Sequence, residues 1–248
     1  MWGILPAMQS VKMNNAVLEA YVTNLGRYNE GHLDGEYLKL PATTEEVQAL
    51  LKRIHVDGVQ YEEIFITTYD TEISGLSKHL GENESIDELN HLAALLDDMD
   101  EWEIEKFTAA VELGDRAGSV KDLINLTQNL DCYEYFPGVS NEKELGCFLI
   151  DELEWESIPE NIEPYFDYEA YGRDMAINEG GDFYNSGYVS RNDVNFIEHY
   201  SGRDDLPEEH QIFAYPEKSS IREALNDYKQ MIAATLAKAH TAPAHEDR

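Results

Sequence analysis

The chain has 248 residues, 42% of them apolar, and carries 50 acidic against 18 basic side chains for a formal net charge of −32. That is enough chain for one large domain or two to three small ones, and enough apolar content to fold. The charge excludes direct nucleic-acid binding, two cysteines exclude a disulfide framework, and no apolar run is long enough to cross a membrane.

Residues 1–16 read as a flexible leader: the apolar start MWGILP has no basic stretch before it, as a signal peptide would. AYVTNLG (20–26) and GEYLKLP (35–41) predict short strands around the turn-rich RYNEGHLD. TTEEVQALLKRI (43–54) predicts a helix with Val47, Leu50, Leu51 and Ile54 on one face and a Thr43–Glu46 capping box at its start. YEEIFITTYD (61–70) predicts a third strand, so residues 17–72 form a small α+β unit.

Residues 73–118 read as a helical unit. Ser85 with Glu88 predicts a capped helix, with Ile86, Leu89, Ala93 and Leu96 inside. Asp100 with Glu103 predicts a second helix, burying Ile104, Phe107 and Val111 and stopping at Gly114. A third helix, capped by Ser119 with Asp122, opens an α+β unit spanning 119–202. Within it DCYEYF (131–136) predicts a strand and Asn141 caps a helix carrying Leu145, Phe148, Leu149 and Leu153. Pro159 interrupts that helix, Pro164 starts another ending near Gly172, and EGGDFYNSGYV (179–189) followed by VNFIEHY (194–200) predicts paired strands. Residues 203–248 read as a linker and an amphipathic helical extension with Ile221, Leu225, Tyr228, Ile232 and Leu236 in its stripe. The expected fold is α+β: an elongated chain of three small domains with a C-terminal helical extension.

No phosphate loop, zinc-protease motif or serine-hydrolase elbow is present. His32, His55, His79, His91 and His199 lack paired ligand spacing and read as surface or packing residues. Asp98-x-Asp100 begins like a calcium loop, but Trp102 stands at the next ligand position and no glycine follows. No metal or cofactor is expected. Among so many acids some catalytic pair is always imaginable; Glu152 with Glu169 is one such guess, and it carries little weight.

The acids are crowded, not spread. LLDDMDEWEIE (95–105) holds Asp97, Asp98, Asp100, Glu101, Glu103 and Glu105 with no base. Residues 60–115 hold 16 acids and two bases, and residues 151–210 hold 17 and three, whereas 218–248 are near neutral. Solubility needs far less charge, on the order of 2–8 for a small domain, and adaptation to salt would acidify the tail as well. At one charge per ~1.7 Å of duplex axis, 32 charges correspond to ~54 Å of DNA. A compact globule of this length has a radius of gyration of only ~18 Å, so strung modules would match that density better than a sphere.

Two stretches, YVTNLGRYNEG (21–31) and YFDYEAYGRDM (165–175), with SIDELNHL (85–92) and DCYEYF (131–136) between them, resemble the ArdA antirestriction proteins carried by conjugative plasmids, transposons and phages. The resemblance implies three small domains in a curved, elongated chain that dimerises through its C-terminal domain, and the two cysteines suit a reducing cytoplasm. It implies mimicry of bent B-form DNA, type I restriction–modification enzymes as partner, and no catalytic residues. The acidic surface carried over comprises Asp97, Asp98, Asp100, Glu101, Glu103 and Glu105, then Glu152, Glu154, Glu156, Glu160, Glu163, Asp167, Glu169 and Asp174. The strand around Tyr133 and Tyr135 is the expected dimer contact, Gly26, Gly31 and Gly172 are expected in tight turns, and Arg173 is expected to fix a neighbouring carboxylate. The alternative reading is an acidic adaptor or inhibitor of another basic DNA-binding protein or nuclease.

Overall fold

The computed structural model describes residues 16–184, 187–217 and 229. Strands β1 (Leu18–Asn24), β2 (Gly35–Leu40) and β3 (Ile64–Asp70) form an antiparallel sheet in the order β2-β1-β3. Leu18, Ala20 and Val22 alternate along β1 and share a core with Val47, Leu50 and Leu51 of helix α2 (Thr44–Arg53). The capping box expected at Thr43 and Glu46 closes the start of α2. The stretch after β1 is not only a turn. Residues Leu25–Asn29 wind into a short helix, α1, because Asn24 accepts from the Arg27 amide, and the same amide side chain donates to the Ile54 and His55 carbonyls at the end of α2. Gly26 therefore lies in a helix, against the Tyr61 ring, while Gly31 is at a turn with φ 88°.

Helices α3 (Ile86–Asp97), α4 (Glu101–Leu113) and α5 (Val120–Thr127) follow. Ser119 accepts from the Asp122 amide at the start of α5, and Gly114 ends α4 in left-handed backbone, both as the sequence predicts. Ser85 does not cap α3. Its expected partner Glu88 turns inward instead, accepting from the Tyr200 hydroxyl at 3.0 Å and from Arg203 at 2.8 Å. One apolar cluster runs from Val17 through these helices to Tyr133, Val189 and Ile212.

The second sheet is β4 (Tyr133–Pro137), β5 (Asp182–Tyr184) and β6 (Gly187–Arg191), antiparallel in the order β4-β6-β5. Helix α6 (Glu142–Cys147) continues as a π-helical turn through Glu152, and α7 spans Tyr168–Glu179. Leu145 and Leu149 are buried as expected, but the helix ends before Leu153, which is 40% exposed. Gly172 does not end a helix. It lies inside α7, which stops at Gly180, and a Cβ on Gly172 would come within 1.9 Å of the Glu142 carbonyl oxygen. A Cβ on Gly146 would likewise meet the Tyr168 carbonyl oxygen at 1.9 Å, so α6 and α7 cross backbone against backbone.

Residues 194–200 are not a strand, because no strand lies beside them. Their backbone is bound by two amide side chains of the α5 segment. Asn125 accepts from the His199 and Tyr200 amides and donates to the Tyr200 carbonyl; Asn129 accepts from the Ile197 amide and donates to its carbonyl. The chain then runs back over the fold. Asp87 accepts from the Ile212 and Phe213 amides, Gln48 donates to the Tyr215 carbonyl, and the Tyr215 hydroxyl donates to the Glu62 carbonyl. The expected linker is thus docked as far as Tyr215. Apart from residue 229, the extension helix predicted over Ile221–Leu236 lies outside the described residues, as does the leader up to residue 15.

Candidate functional site

Asp97 and Asp98 close α3, Met99 turns the chain, and Asp100 opens α4. Asp100 accepts from the Glu103 amide at 2.8 Å while Glu103 accepts from the Asp100 amide at 3.0 Å, so two of the six carboxylates are fixed by the backbone they cap. Asp97 and Asp98 sit at the negative end of α3, with no base in its last turn, where a carboxylate costs roughly 0.3–1 kcal/mol. Glu101 and Glu105 stand one turn apart on α4, a like-charge pair that costs another few tenths. Helix stability therefore accounts for Asp100 and Glu103, which cap α4, and not for Asp97, Asp98 and Glu105.

The second group leaves the end of α6, crosses the loop 153–167 and continues on α7. Asp167 caps α7 by accepting from the Ala170 amide. Loop turns are closed by the Pro159 and Ile162 carbonyls, which accept from the Ile162, Glu163 and Tyr165 amides.

All fourteen expected carboxylates are exposed. Among the described residues none of them is in an ion pair. The ion pairs that do form use other acids: Arg27 with Asp34, Lys39 with Glu19, Arg53 with Glu36, Lys121 with Glu198, Arg191 with Asp115, and Arg203 with Glu88. Arg173 is exposed on α7 and, among the described residues, pairs with no carboxylate, contrary to expectation. Each acidic group nonetheless has one base within it or beside it, Lys106 on α4 and Arg173 on α7, so its net charge stays strongly negative.

Residues suggestive of other chemistry do not converge. Glu152 lines an open cleft with Lys143, Glu144, Cys147 and Asp151, and Glu169 is not among its walls. Among the described residues no three His, Cys, Asp or Glu side chains are placed to hold a metal ion, and no helix is long and apolar enough to cross a membrane. His91 is buried against Tyr200 and His210, and burial, then His210, lowers its pKa. His32, His55 and His199 are exposed and His79 is half-buried.

Tyr133 and Tyr135, the expected dimer contact, lie in the chain's own core at 0% and 5% exposure. Burial, then Asp115, pushes the Tyr133 hydroxyl up to about 12. Their strand, β4, is an edge of its sheet. The period-2 pattern of DCYEYF carried the rings' burial: both tyrosines fall on the buried face, with exposed Glu134 between them. Sequence reasoning also missed three exposed apolar side chains, Trp155, Ile162 and Tyr165, set among the acids of the loop near Leu153, which it places on a helical stripe. Their only signal was that they follow neither a helical nor a strand period.

Comparison with known proteins adds one finding. Residues 20–190 match the family model described as antirestriction protein (ArdA). No curated protein matches the chain.

Proposed function

We propose that this chain, which belongs to the ArdA antirestriction family, blocks type I restriction–modification enzymes by occupying their DNA-binding groove as a mimic of B-form DNA. The observation that carries this reading is that fourteen exposed carboxylates in two groups are in no ion pair among the described residues, while the ion pairs that do form use acids elsewhere. Asp100, Glu101, Glu103 and Glu105 fall within about 7.5 Å of helix axis at a ~1.5 Å rise per residue. That is about one charge per 2 Å, close to the ~1.7 Å of a duplex. The target's cations would meet these oxygens where phosphates otherwise sit.

The mechanism is occupancy, with no bond made or broken, so the protein acts as an inhibitor and not an enzyme. It works in the cytoplasm as a homodimer, with the edge of β4 as the contact to a second copy. The division into units 17–72, 73–118 and 119–202, extended in a line, belongs to the same reading: it would spread the two acidic groups along the length of a bound DNA segment. Inhibition of a purified type I enzyme, measured over a salt series, tests this. It should weaken steeply with salt, and neutralising both acidic groups to Asn and Gln should abolish it. Inhibition that survives full neutralisation would refute the mimicry. Capture of only unrelated basic proteins would favour an acidic adaptor instead.

A further inference from the structure

The loop between α6 and α7 carries more than charge. Residues 144–172 hold nine carboxylates and no Lys or Arg. Set among them, Leu153 is 40% exposed, Trp155 47%, Ile162 47% and Tyr165 84%. The loop is nonetheless tied to its neighbours at several points. The Trp155 amide donates to the Leu149 carbonyl at one end, the backbone turns at Pro159 and Ile162 hold the middle, and Phe166 packs its ring against Tyr168 and Tyr171 at the other. Glu154 keeps a carboxylate at φ 50°, a left-handed conformation that glycine would adopt without strain. Four large apolar side chains exposed within thirteen residues of one loop are apolar surface available to a partner.

Charge selects the partner. A second copy would set nine carboxylates against nine, which repel; a basic groove attracts them. We propose that Trp155, Ile162 and Tyr165 are apolar anchors for the basic DNA-binding groove of the target enzyme, seating between its cations while the flanking carboxylates pair with them. This rests on the mimic reading and adds to it a component that duplex phosphates lack. Carboxylate pairing is screened by salt, whereas apolar burial is not. The anchors therefore supply the part of the affinity that remains when salt has weakened the rest.

The test is inhibition of a purified type I enzyme by the full chain over a salt series, comparing the unaltered protein with Tyr165→Ala and with the triple variant Trp155→Ala, Ile162→Ala, Tyr165→Ala. Buried aromatic anchors are hot spots, so the triple variant should inhibit roughly tenfold or more weakly at every salt concentration, with the same salt slope. Tyr165→Ala, at the most exposed position, carries little risk to folding and should show a smaller loss of the same kind. Unchanged inhibition by both variants, or a loss that disappears at high salt, overturns the anchors while leaving the mimic reading intact. Sedimentation of the same samples closes the remaining route: a change in oligomeric state that tracks the loss assigns the surface to a second copy and overturns the proposal. An unaltered chain whose inhibition ignores salt overturns the mimic reading, and this inference with it.

Discussion

Neutralising Asp97, Asp98 and Glu105 should make the protein more stable and a worse inhibitor. Asp97 and Asp98 sit at the C-terminal end of α3 with no base in its last turn, and Glu105 stands one turn from Glu101. Changing them to Asn, Asn and Gln removes two unfavourable dipole contacts of roughly 0.3–1 kcal/mol each and one like-charge pair of roughly 0.2–0.5. The positive start of α4 lies close by and offsets part of this, so the expected gain is about 1 kcal/mol at low salt. In a chain of this size that is a rise in melting temperature of about 2–4 °C. Asp100 and Glu103 are left alone because they cap α4. If each removed carboxylate stood for one phosphate, the salt slope of binding would fall by about 0.9 per charge. Affinity lost at roughly 50 mM salt would then exceed that lost at roughly 200 mM by up to ~40-fold. Thermal melts and a salt series of DNA-cleavage inhibition measure the two effects together. A variant that is stabilised yet inhibits with an unchanged slope would refute the role given to this cluster. A variant that is destabilised would refute the account of its cost.

Asn125→Ala leaves the Tyr200 amide and carbonyl buried without partners, at roughly 1–3 kcal/mol each, so urea unfolding should show a loss of about 2–5 kcal/mol; less than about 1 kcal/mol would mean that the side chain does not hold the segment. Gly172→Ala would gain about 1 kcal/mol from helix propensity alone. Its Cβ meets the Glu142 carbonyl oxygen at 1.9 Å, so the net effect should be a destabilisation of about 1–3 kcal/mol, and a stabilised variant would contradict the close crossing of α6 and α7. The lowered pKa of His91 gives a pH dependence. Folding favours its neutral form, so the unfolded chain binds more protons once the pH falls below its value of about 6.5. Stability is full above that pH and is lost as the pH falls through it towards the lower folded value. Melting temperatures between pH 7.5 and 5.5, measured beside a His91→Phe variant, should show a shallower decline in the variant; equal slopes would argue against the assignment.

Elements whose cause is local were legible. Thr43 with Glu46, Asp100 with Glu103, and Ser119 with Asp122 each satisfy amides within three residues, and the helices start where these residues say. Ser85 with Glu88 has the same pattern and fails. Glu88 finds its partners 112 and 115 residues away, in Tyr200 and Arg203, and no local rule sees them. VNFIEHY alternates like a strand, but its backbone hydrogen bonds go to the side chains of Asn125 on α5 and Asn129 just beyond its end. Gly172 looked like a stop because glycine usually is one; here its missing Cβ admits another helix's backbone. The exposure of the fourteen acids was legible, since unpaired charge stays in water. What composition does not encode is which acids keep a cation. Asp34, Glu36 and Asp115 are neutralised by bases brought close in the fold, and the two clusters are not.

The return path of the chain after β6 sets a lower bound on any shortened version. The family match stops at residue 190, and trimming to that point would delete Tyr200, Arg203, Ile212, Phe213 and Tyr215 together. Asn125, Asn129, Asp87 and Glu88 would be stranded with their polar groups facing a vacated seam, and the apolar surface beneath Tyr200 and Ile212 would be laid open to water. A minimal inhibitor cut from this protein should therefore keep at least residues 191–215, although none of the fourteen carboxylates lies there.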